Sequence, residues 1–321
     1  MISRVLVRKY VSASWLLFAA CGLTLFSFAW IRVWVVSLLD TSRFTTILDQ
    51  FKEWERFAPI EFEALITYAG RLGMTFDEPV VIFCIVVWCI SRGSDVVAGE
   101  LGRGTLEMIL AQPIRRRTLL ASHAAVAIGG LIGLCLLVWA GIAIGVANTS
   151  VTEAVPSPTV TIPYINIDVP LSSGSDEKLV VPMSQRVDPG VYFPSIVHLF
   201  AFGFFLLGLA SMASAADRYR WRAVGLVVGF YVFQLVLFGL GKAAESLSWL
   251  LSTSFFSCYK PQKMTQLVQR DGMAAAFDLT TPIEPGMLPP GVYPLILLGL
   301  GLVFYAVAGV VLERRDLPAP L

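Results

Sequence analysis

Charge is what this sequence has least of. Lys, Arg, Asp and Glu make up 15% of its 321 residues, against 56% hydrophobic, and the mean hydropathy is +0.72. That balance excludes a water-soluble domain of this length and indicates a polytopic membrane protein. Histidine is scarcer still: His123 and His198 stand far apart without Cys or carboxylate neighbours at ligand spacing, so no metal site is expected. Each reads as a polar spot on a helix flank or near a span end. Of the five cysteines, Cys21, Cys84, Cys89 and Cys135 fall inside apolar runs and only Cys258 lies outside, which implies no disulfide framework. No GxxxxGK[ST] occurs. The nearest look-alike, at 239–242, lacks the first Gly and the Ser/Thr, so the chain has no Walker A loop of its own. Internal repeats, low-complexity blocks and a soluble segment large enough to be catalytic are also missing. Neither an enzyme, nor a cofactor, nor a nucleic-acid partner is expected.

What is present is a set of apolar runs near the ~20 residues needed to cross ~30 Å of hydrocarbon. They lie at 15–36, 119–147, 193–214, 223–241 and 292–312, with a shorter one at 79–90 that reaches spanning length if its helix extends either way, about 74–92. The first is read as a retained anchor, since its apolar core is long and no small-x-small cleavage site follows it. One transmembrane domain over 1–321 is expected: all-α, six transmembrane helices, N- and C-termini cytoplasmic, in a bacterial inner membrane. Orientation follows the Lys/Arg bias. Thirteen basic residues, among them Arg4, Arg8, Lys9, Arg103, Arg218, Arg220, Arg222, Arg314 and Arg315, crowd the short segments of one side. Ten are spread over the longer segments of the other.

The outer loops expected at 40–73, 148–192 and 242–291 have characters of their own. Phe44, Ile47, Leu48, Phe51 and Trp54 recur at helical spacing, so 41–57 reads as an amphipathic helix. Val160, Ile162, Ile165, Ile167 and Val169 amid prolines suggest extended strands or a Pro-rich flap. Leu247, Trp249, Leu250, Phe255 and Phe256, over a length too short to cross, suggest a re-entrant or interfacial hairpin after the fifth span.

Asp, Glu and Lys are absent from all six apolar runs. Proton- and sodium-coupled carriers place ionisable groups at mid-membrane, so self-powered transport is disfavoured. Arg32 is the one charge within a run; it either snorkels to the outer boundary or faces a substrate path. The pairs Gly129/Gly133, Gly141/Gly145 and Gly225/Gly229 have the spacing of close helix contacts, within one subunit or at a dimer seam.

The most informative stretch is 91–117, a charged helix-forming segment between two apolar runs. Val97, Leu101, Leu106, Ile109 and Leu110 give partial apolar periodicity; Glu100, Arg103 and Glu107 supply charge; Pro113 ends the helix; and Arg115, Arg116 and Arg117 are placed to meet an anionic leaflet. Glu100 and Glu107, seven residues apart, would project on one helical face. Composition leaves two readings open, a solvated connecting turn and a segment that receives force from a soluble motor.

The run Ala98-Gly99-Glu100, Gly104-Thr105-Leu106-Glu107, Leu110-Ala111, Pro113 and Arg116 resembles the pattern of type-two ABC transporter permeases, where such a segment follows the second span. The order of basic N-terminus, six spans and a hairpin after the fifth is similar too. The resemblance implies a coupling segment over 95–113, with Glu100, Gly104, Thr105, Glu107 and Pro113 docking on a separate ATP-binding-cassette ATPase, a second permease copy or homologue, and export as the usual direction. Where the family often has a Lys at the head of the third span this chain has His123, which puts that residue's headgroup-facing role in doubt. The competing reading is a non-transporting membrane scaffold or assembly factor that binds a partner through its outer loops.

Overall fold

The computed structural model describes residues 2–39, 67–112, 115–154, 159–162, 167–170, 178–283 and 286–315; the amphipathic helix expected at 41–57 lies outside them. Long apolar runs away from water must satisfy their backbone groups internally, and these do so as helices. They are α1 (Arg4–Ser37), α2 (Tyr68–Gly73), α3 (Pro79–Ser94), α4 (Thr105–Leu110), α5 (Arg116–Asn148), α6 (Phe193–Ala216), α7 (Arg220–Ala243), α8 (Pro261–Asp271) and α9 (Val292–Arg314). A 3-10 turn at Met74–Asp77 joins α2 to α3, and a π-turn at Asp95–Gly99 leads α3 into one further α-turn, Glu100–Gly102. The second helical run therefore covers Tyr68–Gly102, which resolves the shortness of its apolar stretch by extending it at both ends. Among the described residues six helical runs are long and apolar enough to cross a membrane, and the chain is an all-α polytopic membrane protein.

α6 is the centre of the bundle. It is hydrophobic on every side and buried along nearly its whole length, as a helix enclosed by others must be. Apolar burial drives little association inside lipid, so these helices close by backbone approach at small residues. A Cβ on Gly208 of α6 would come within 2.5 Å of the Gly301 carbonyl oxygen on α9, and one on Gly93 of α3 within 2.4 Å of Ala210 Cβ on α6. On the α1–α5 seam, Gly141 sits against the Phe26 carbonyl and Gly145 against Val33, so this glycine pair packs within the subunit. Gly225 and Gly229 on α7 face open space.

Between α5 and α6 the β-branched stretch forms two antiparallel ladders, β1 (Ser150–Ala154) with β4 (Lys178–Pro182) and β2 (Thr159–Ile162) with β3 (Ile167–Pro170). Ser150 lies opposite Pro182, and Thr159 opposite Pro170. After α7 the chain turns back through 3-10 segments at Glu245–Thr253 and Phe255–Cys258. Phe255 and Phe256 are driven into an aromatic cluster with Phe202, Phe205, Phe230 and Tyr231. The Ser254 hydroxyl donates to the Gln234 carbonyl at 3.2 Å, tying this return to α7.

Residue 4, residues 95–112 and 115–117, the α6–α7 turn and residue 315 all meet at one end of the bundle, the basic end. Arg116 donates to the carbonyls of Leu312 (2.9 Å), Glu313 (3.3 Å) and Arg315 (2.7 Å), and Arg315 to those of Ala215 (2.9 Å) and Asp217 (3.0 Å). Each guanidinium thus covers carbonyls left open at a helix C-terminus, where positive charge is also favoured by the helix dipole.

Candidate coupling site at the basic end

The sequence between the second and third spans builds a short outward helix on a buried ionic base. Asp95 opens the π-turn, and its carboxylate is 4% exposed. Arg103 grips it through two contacts, Nη1 to Oδ1 at 2.7 Å and Nη2 to Oδ2 at 3.3 Å; Arg220 Nη1 stands 3.4 Å from Oδ1 and Arg92 Nη2 3.6 Å from Oδ2. Its hydrogen-bonded pairing with Asp95 raises the Arg103 pKa above the ordinary guanidinium value. Gly99 makes room for this arrangement, because a Cβ there would fall 2.1 Å from Asp95 Oδ1.

Glu100 is the second carboxylate and is 1% exposed. Lys9 of α1 donates to its Oε2 at 2.7 Å, Arg103 Nη2 lies 3.3 Å from Oε1, and the Thr105 hydroxyl is hydrogen-bonded to Oε2 as well. Four cations, Lys9, Arg92, Arg103 and Arg220, thus surround two carboxylates. Buried charge is tolerated only when paired in this way.

The π-turn breaks the regular helical ladder, and α6 repairs it. Ser214 Oγ accepts from the backbone N–H of Val97 (3.2 Å) and Ala98 (3.0 Å) and donates to the Ser94 carbonyl (2.8 Å). One hydroxyl from a neighbouring span therefore bonds three backbone groups of the widened turn. Behind it, His123 is buried rather than on a helix flank, 3.3 Å from Arg92 Nη2 and edge-on to Tyr10 at 4.9 Å between ring centroids. His198 is also buried, accepting at Nδ1 from the Lys260 N–H (3.4 Å). No group of three or more potential metal ligands occurs among the described residues.

Beyond Gly102 the helix breaks: Gly104 takes φ +68°, a left-handed conformation that favours glycine. α4 then runs off on a new axis. Leu106 and Ile109 are buried, while Met108 is 72% exposed. The interruption corrects the expectation that Glu100 and Glu107 share a face, since the two residues sit on different helical pieces. Glu100 turns inward onto Lys9 and Thr105 turns back onto it; Glu107 falls in α4; and Pro113 lies outside the described residues.

Of the basic residues expected at the leaflet, Arg116 donates to the carbonyls at the end of α9, and Arg117 pairs with Glu313, with Nη2 to Oε2 at 2.7 Å. Arg115 remains exposed. Arg32, a candidate for a substrate path, is ion-paired with Glu78 at 3.0 Å at the other end of the bundle. The residues that spacing did not reveal are Lys9, Arg92, Asp95, Ser214, Arg220 and Met108. Nothing in the sequence links position 9 to position 100. Met108 carried one signal, as the apolar residue of its segment that falls off the apolar periodicity.

Residues 44–317 match the family described as ABC-2 family transporter protein, a span that takes in the π-turn, α4 and five of the six long helical runs. No curated protein matches the chain. With the family match covering most of its length, the chain belongs to the ABC-2 family of transporter proteins.

Proposed function

We propose that this chain is the permease subunit of an ABC exporter in a bacterial inner membrane, with its basic end in the cytoplasm. It pairs with a second permease, a copy or a homologue, and ATP is hydrolysed on a separate ATPase that docks on the 95–113 segment. The observation that carries this reading is Met108, an exposed apolar side chain on a six-residue helix whose Leu106 and Ile109 are already buried. A docking helix needs an apolar tip on a base that does not yield. Here Gly104 and Thr105 set the angle of α4, Glu100 anchors it from behind, and Glu107 and Pro113 belong to the same docking segment.

The mechanism follows from the ties beneath α4. Movement of an ATPase pair pushes α4, and the push passes through Arg103 and Asp95 into α3, through Lys9 and Glu100 into α1, and through Arg220 and Ser214 into α7 and α6. Rigid ion-paired contacts carry displacement where a solvated turn would absorb it. Alternation of the spans between inward- and outward-facing arrangements then moves substrate across.

The test is assembly. Burying one methionine side chain is worth roughly 1.5–3 kcal/mol, so Met108→Asp should weaken binding of the ATPase by at least about tenfold while the permease still expresses and inserts. Unchanged affinity in Met108→Asp would remove α4 as the docking element.

A further inference from the structure

Beside the ionic base of the candidate coupling site, a groove of about 1010 Å³ opens between α3 and α7. Val86, Ile90, Val224 and Val228 form its walls, and Arg103, Arg218 and Arg220 stand at its basic end. No carboxylate lines it. Asp95, which touches Arg103 and Arg220, is buried behind them, and those two guanidinium side chains remain 46% and 42% exposed. Arg218 makes no ion pair among the described residues. Among the described residues, then, positive charge at the mouth exceeds the carboxylates that stand against it.

The shape fits the charge. Lining residues run along α7 from Trp221 to Val232, a rise of ~16 Å of helix, close to the ~15 Å depth of one leaflet's hydrocarbon. Tyr219 and Trp221 flank the mouth and are exposed, as aromatic side chains are where hydrocarbon gives way to headgroups. Basic pockets between membrane helices on the cytoplasmic side are characteristic places for anionic lipid headgroups.

We propose that this groove holds one anionic phospholipid of the bilayer, its phosphate on Arg103, Arg218 and Arg220 and one acyl chain along the valine wall between α3 and α7. The inference relies on the orientation proposed above but not on coupling to an ATPase. Its consequence is regulatory: the headgroup shares Arg103 and Arg220 with Asp95, so lipid occupancy bears on the contact that fixes α4.

The test is lipid retention by the purified full-length chain, read by native mass spectrometry in detergent containing phosphatidylglycerol and phosphatidylcholine with identical acyl chains. The expected result is preferential retention of about one phosphatidylglycerol per chain. Arg218→Gln should weaken it about fivefold, the effect typical of one basic residue at an anionic surface. Arg218→Lys should keep most of it, Val228→Trp should remove it by filling the wall, and Arg314→Gln, outside the groove at the same end, should leave it unchanged. Arg218 has no ion pair among the described residues and Val228 is exposed, so the variants should melt with the parent. Equal retention of both lipids, or phosphatidylglycerol binding undiminished in Arg218→Gln and Val228→Trp, would overturn the proposal. So would a chain that retains neither lipid and runs as a dimer with a cysteine at position 228 protected from labelling, which would assign the groove to a second copy.

Discussion

Replacing Glu100 and Lys9 singly and together distinguishes an inward anchor from an outward docking charge. Glu100 is all but inaccessible, and its carboxylate is held by Lys9 at 2.7 Å, Arg103 at 3.3 Å and Thr105. Charged hydrogen bonds are worth ~1.5–3 kcal/mol each when both partners stay dry. Here the Lys9 and Arg103 side chains are 38% and 46% exposed and can turn to water, which discounts the loss. Glu100→Gln should therefore cost about 2 kcal/mol of local stability. Lys9→Met should cost about 1 kcal/mol, since Glu100 keeps two partners. Once Glu100 is gone the lysine has nothing to hold, so the double variant should cost about 2 kcal/mol, short of additivity by about 1 kcal/mol. The assay is hydrogen exchange of the backbone amides from Val97 to Leu106 in the solubilised protein, which reads the free energy of local opening. Additivity within ~0.3 kcal/mol would refute the reasoning, because it would mean that Glu100 does not act through Lys9.

Ser214→Ala should expose the amides of Val97 and Ala98 to exchange by about 2 kcal/mol, because two buried donors and the Ser94 carbonyl lose their partner together; protection at wild-type level would show that the π-turn holds itself. Gly99→Ala should displace the Asp95 carboxylate and abolish transport-linked ATP turnover. The same change at Gly102, where a Cβ meets nothing within 4 Å, should leave turnover near wild type. Gly104→Ala should cost about 1–2 kcal/mol of local stability from its left-handed backbone, read by exchange in α4.

The fold was legible because its signals are long and one-dimensional. Twenty apolar residues in a row admit little but a helix, and the second span, short as an apolar run, becomes long enough once Tyr68 and Gly102 are counted in the same helical stretch. The β-branched and proline-rich character of 160–169 and the aromatic density of 247–256 pointed to strands and to a chain return for the same reason. The candidate site, the ionic cluster beneath α4, was half legible. Its location followed from the segment between two spans, but the roles within it depend on contacts across the bundle: Lys9 with Glu100, Ser214 with the π-turn, Arg220 with Asp95. Helical periodicity misassigned Glu100 because it assumes one unbroken helix, and the left-handed turn at Gly104 resets the phase. The tie from Arg116 to α9 was not legible for a related reason, since its partners are carbonyls almost two hundred residues away that no local pattern announces.

On the proposed function, α4 is the surface on which the ATPase rests and Glu100 works beneath it. A photo-crosslinking residue placed at Met108, in the permease co-expressed with its ATPase, tests this most directly. The expected result is a covalent adduct with the ATPase from position 108 and none from position 300, where Leu300 is exposed on the side of α9 within its span. Absence of an adduct at 108 in a complex that still hydrolyses ATP would contradict it.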